Sequence, residues 1–176
     1  MATVTPASAQ TPSTANASSY AGAAFTPAVN DLIVVVLGAT GTVGTADATD
    51  DQGGTYTMVA SASRTSLHTL YILVRDTLVT SAVSHTVTCT LTDAGTGAEV
   101  HSFRITGMGV AGSTAVRQSA TQNNNTGGTP APVFAAAALT GNPLIGAISA
   151  ASSPPALTPP SGWTEAYDHG HAAPTG

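Results

Sequence analysis

The sequence has no lysine, a single cysteine, few charges of either sign and no long apolar run, and each shortage removes a class of protein. Charged residues make up 7% of the 176 positions, against about 25% in an average soluble domain. The cations are four arginines spread along the chain, Arg64, Arg75, Arg104 and Arg117, and the formal charge is −5. Nucleic acids and anionic membranes are held by clustered cations. Scattered arginines on an acidic chain supply no such patch, so neither is expected as a partner. Without lysine, a G-x-x-x-x-G-K phosphate loop cannot be written.

With Cys89 alone, no intrachain disulfide can form. Cys89 alternates with threonines and has no cation beside it, so it reads as a small buried hydrophobe rather than a reactive thiol. The opening MATVTPASAQTPST has neither the basic start nor the apolar segment of a secretory signal. The longest apolar run, 32–37, has strand length, far below the ~20 residues of a membrane span. A protein made in the cytoplasm, and leaving it inside released particles, is the expectation.

What is present is β-forming. Hydrophobic residues reach 42%, enough for one packed domain. Residues 1–18, rich in Ala, Thr, Ser, Pro and Gln, read as an extended, flexible arm, and 19–176 as a single domain. Strand signals recur at 19–26, 31–38, 55–61 and 68–75, and the unbroken Leu/Ile/Val run within 31–38 marks a strand covered on both faces. In 85–92, Val87, Cys89 and Leu91 alternate with Thr86, Thr88, Thr90 and Thr92. The turn DAGTG at 93–97 offers glycines for positive φ, so 85–105 is expected to form a hairpin. Further strands are expected at 114–122, 133–139, 144–150 and 162–168, with one helical turn an alternative at 135–138. Many short strands with Gly, Pro and Asn between them indicate an all-β fold, a β-sandwich of jelly-roll type.

Candidate sites are few. Asp47, Asp50 and Asp51 crowd one segment, and three carboxylates with nearby carbonyls can hold Ca²⁺, though the spacing is not that of an EF-hand. A hydrated turn is the simpler reading. Glu99 and Glu165, with Asp76 and Asp93, could supply a glycosidase pair, but nothing selects two of them. His169 and His171 have metal-ligand spacing near the chain end, and His85 and His101 become neighbours if the hairpin forms. No G-x-S-x-G is present. Trp163 and Tyr167 can stack on sugars or anchor an interface, with Trp163 as a core plug the plainer reading. No catalytic residue, metal ligand or cofactor is therefore assigned.

Four segments taken in order, DLIVVVLG (31–38), DDQGGTYT (50–57), HTVTCTLT (85–92) and SGWTEAYD (161–168), resemble jelly-roll modules of phage minor tail, tail-fibre and head-decoration proteins. The resemblance implies a non-catalytic, oligomeric protein of the virion surface, contacting copies of itself and the major capsid or tail protein. A carbohydrate-binding adhesion module is the alternative, with surface glycans as partners. In such modules more strands follow the G-W-T-E segment, whereas eight residues follow Asp168 here. Either the fold closes with fewer strands or a sheet edge is left open, and an open edge is expected to be completed by a neighbour through the arm at 2–18.

Overall fold

The computed structural model describes residues 1–9, 12–41, 43–64, 67–123, 131–149 and 158–167. Among these residues eight strands form in chain order: β1 Thr3–Ala9, β2 Ala17–Ala21, β3 Leu32–Thr40, β4 Ala46–Asp50, β5 Tyr56–Arg64, β6 His68–Arg75, β7 Val87–Gly95 and β8 Gly97–Thr106. They build two antiparallel sheets, one in the order β1-β8-β3-β6-β5 and one in the order β2-β7-β4. The all-β sandwich expected from the sequence is the fold.

The pairs are nested. β1 runs against β8, β2 against β7 and β3 against β6, while β4 turns into β5 through a bridge between Thr49 and Thr55. One long hairpin rolled into two layers produces this set of partners, which is the jelly-roll wrap. The wrap is modified at β5, which passes the bridge and then pairs along β6, adding a fifth strand to the first sheet.

β3 shows why the fold takes this form. Ile33, Val35, Leu37 and Ala39 pack into the core between the sheets, with Tyr71, Leu73, Val87, Cys89 and Val100. Leu32, Val34 and Val36 face the other way, into a second cluster with Val74, Phe103 and Ile105. Successive side chains point to opposite faces, so a strand buried on both needs an unbroken apolar run. Each such side chain contributes about 1.5–3 kcal/mol when fully withdrawn from water.

The second cluster is covered by chain without regular pairing. Met108, Ala111, Ala115, Val116, Ile145, Ala147 and Tyr167 pack on it, and the only regular element among them is a 3₁₀ turn at Gly112–Ala115. None of the strands expected at 114–122, 133–139, 144–150 and 162–168 forms among the described residues. These segments carry apolar side chains but form no backbone ladder with a sheet edge, so they serve as a cover. The residues 150–157 and 168–176, including His169 and His171, lie outside the described residues.

Two other expectations change. Thr3–Ala9, read as an arm, is the edge strand of its own sheet, and Ser13 bridges Ala98 beyond it. The hairpin over 85–105 is not formed: β7 belongs to the small sheet and β8 to the large one. Gly95 and Gly97 are absent from the positive-φ glycines. The reason for glycine at 95 is space, since a Cβ there would lie 3.1 Å from the Thr40 carbonyl oxygen and from a Val43 methyl.

Candidate functional site

Where the chain leaves β4 for β5, a turn closes by backbone bonds from Gly53 N–H to the Asp50 carbonyl and from Asp50 N–H to the Gly54 carbonyl, both 3.0 Å. Gly53 has φ +78°, a left-handed conformation that glycine adopts without strain. The Asp50 side chain then folds back over the turn. Its Oδ1 accepts from the N–H groups of Gln52 at 3.0 Å and Gly54 at 2.8 Å. Its Oδ2 accepts from Arg75 Nε at 2.8 Å and the Tyr56 hydroxyl at 3.1 Å. His85 Nδ1 lies 3.5 Å from the same oxygen.

This knot is buried at one end of the sandwich. Arg75 also donates to the Thr77 and Leu78 carbonyls and the Thr77 hydroxyl, so its guanidinium ties β6 to the loop after it. Burial alone would raise the Asp50 carboxyl, but the bonds from Arg75, Gly54 and Tyr56 outweigh it and hold the group below its ordinary 3.8. Burial and the Asp50 charge push the Tyr56 phenol well above its usual value. Gly54 makes room for all of this, because a Cβ there would collide with the Arg75 guanidinium and the Asp50 carboxylate. The motif D-x-x-G-x-x-Y-T at 50–57 thus has a structural meaning: carboxylate, left-handed turn and hydroxyl belong to one network.

Two smaller polar pairs lie elsewhere. Asp31, buried, accepts from Arg104 Nε and the Ala28 N–H at 2.8 Å each, fixing the chain as it enters β3. On the covered face of the large sheet, His101 Nε2 meets Glu99 Oε1 at 2.7 Å. The Tyr167 ring stacks on His101 with centroids 4.5 Å apart and meets Phe103 edge-on at 5.5 Å. The backbone of Ala7 also bonds the Tyr167 phenol. Tyr167 therefore pins the C-terminal cover to β8 and to the bulge in β1.

The sequence candidates separate in space. Asp50 is taken by Arg75, Asp51 accepts from the Thr86 N–H at 3.0 Å, and Asp47 projects outward from β4. No group of three or more His, Cys, Asp or Glu converges on a metal position among the described residues. His85 and His101 are not brought together by a hairpin, and one lies beside Asp50 while the other lies beside Glu99. Asp76 accepts from the hydroxyls of Thr55 and Thr57. Trp163 rests on the Gly146 backbone and stays 42% exposed, so it plugs no core. Cys89 is fully buried, which pushes its thiol up to about 12. The Asp50 network itself was missed, since its members are spread over 50–85 and only Gly53 and Gly54 mark the turn.

No family model, curated protein or solved structure matches this chain.

Proposed function

We propose that the protein is a non-catalytic structural component of a bacteriophage virion surface, a head decoration or tail part, working as an oligomer beside the major capsid or tail protein. One observation carries the reading: the charged groups that the fold brings together are consumed in holding the fold. Both oxygens of Asp50 are occupied by its own turn and by Arg75. Asp31 is bound by Arg104, and His101 by Glu99. The rolled sandwich, sheathed on one face by its own chain and carrying Thr88, Thr90 and Thr92 on the outward face of β7, suits long-lived contact with neighbours. Many copies would add weak contacts into avidity.

The test is location. Antibodies against the chain, applied to purified phage particles, should label heads or tails in electron micrographs, and washed particles should contain the chain in fixed stoichiometry. A chain found only in the soluble lysate would end the proposal.

The exposed ring of Trp163 favours a second reading, a carbohydrate-binding adhesion module. Saturable sugar binding that disappears in Trp163→Ala, with the fold retained, would select it.

A further inference from the structure

Among the described residues the sandwich has four strand edges without a partner strand, and they differ. β1 has seven residues, Pro6 among them, and a bulge between Pro6 and Ser8. β2 and β4 have five residues each; a bulge interrupts β2, and β4 carries Asp47 and Asp50. Shortness, proline, bulges and charge are devices that keep edges from pairing with other chains. β5 is the longest edge, at nine residues, with neither proline nor carboxylate. Its one charge, Arg64, stands at the last position, and beyond its bulge at Met58–Ala60 the stretch 60–64 keeps a regular register. Beside it runs an open groove of about 320 Å³ lined by Met58, Val59, Ala60, Ser61, Ser119 and Thr121, without a charged residue. Met58 is among the exposed large hydrophobics.

We infer that the β5 edge joins a second copy of this chain, by antiparallel β5–β5 pairing across a two-fold axis passing between residues 60 and 62. The inference rests on the assembly reading above and names its contact. An axis at Ala60 sets Arg64 opposite Tyr56, and an axis at Ala62 sets it opposite Ala60. The two arginines then stand about 14–27 Å apart along the strands, beyond the roughly 8 Å screening length of physiological salt. The other facing side chains are Ala, Ser, Thr, Val and Met, so the strand is complementary to itself. The same patch on both subunits is what a two-fold interface requires. The product is one continuous sheet through both copies, with Met58 and Val59 covered.

Light scattering on the eluting full chain should give a dimer mass. Ser61→Lys places two ammonium groups near the axis on an exposed position and should return the monomer with an unchanged circular-dichroism spectrum. Single cysteines at Ala60, Ser61 and Ala62 supply the geometric test. A residue on the axis faces its own copy at a Cα separation of about 4.5–5.5 Å, inside disulfide range, and Cys89 is buried and cannot compete. One of the three should cross-link in high yield under mild oxidation. A monomeric wild type, or an oligomer that ignores Ser61→Lys and cross-links at none of the three, would overturn the inference. Labelled particles together with a monomeric chain would sink this contact and leave the virion reading standing; a β5 dimer absent from particles would do the reverse.

Discussion

Asp50 and Arg75, twenty-five positions apart, meet at 2.8 Å with side chains 0% and 6% exposed. Removing one partner of such a pair leaves the other buried and uncompensated, which costs about 3–5 kcal/mol. Asp50→Asn and Arg75→Ala should each lose stability on that scale in urea unfolding. Gly54→Ala should lose it too, although no charge is removed, because the new methyl would occupy the space between the two groups. An unchanged midpoint in Gly54→Ala would mean that the turn has room the structure denies.

The acid limb follows from the same carboxylate. Asp50 titrates lower in the folded protein than in the unfolded chain. Its contribution is therefore complete above the unfolded value near 3.8 and disappears as pH falls through the lower folded one. Stability curves of the wild type and Asp50→Asn, measured from pH 7 downward, should lie apart at neutrality and converge in acid. Parallel curves would remove Asp50 from the acid response.

Cys89 should be inert in the native state. It is fully buried and its thiol lies near 12, so almost no thiolate exists at pH 8. A thiol reagent should modify it only as the protein unfolds, with the same denaturant midpoint as the loss of β structure. Rapid labelling without denaturant would show that β7 opens on its own.

Tyr167 bears on the cover more than on the sandwich. Its ring lies against His101 and Phe103. Tyr167→Ala should cost roughly 1–2 kcal/mol in packing and should make 108–123 and 131–149 more accessible to proteases while the eight strands persist. Cleavage that appears first within β3 or β8 would contradict this order.

The sequence carried the strands whose side chains differ sharply between faces. β3 announced itself by Leu and Val on both sides, and β7 by Thr against Val, Cys and Leu. β4 escaped notice because its inward residues are Ala46 and Ala48, too small to signal burial, and its aspartates drew attention to calcium. The cover was overread as strands because apolar content reports burial and not hydrogen-bond pairing, and Ile145 and Ala147 are half-buried without a ladder. Sheet membership was hidden as well. The chain from Leu91 to Ala98 looks like any tight turn, and only the packing of Gly95 against Thr40 and Val43 reveals a passage between layers. The site residues were individually visible, but their convergence depends on the wrap, which no local spacing encodes.

Thr3 lies opposite Thr106, so of the eight strands the first to be made has its partner in the last. Nested closures of this length make folding slow, and an incomplete chain would present unpaired strands that invite aggregation. Maturation should therefore wait for synthesis past β8, after which the rolled pairs can zip together. Truncation before Thr106 would yield insoluble material rather than a smaller working version.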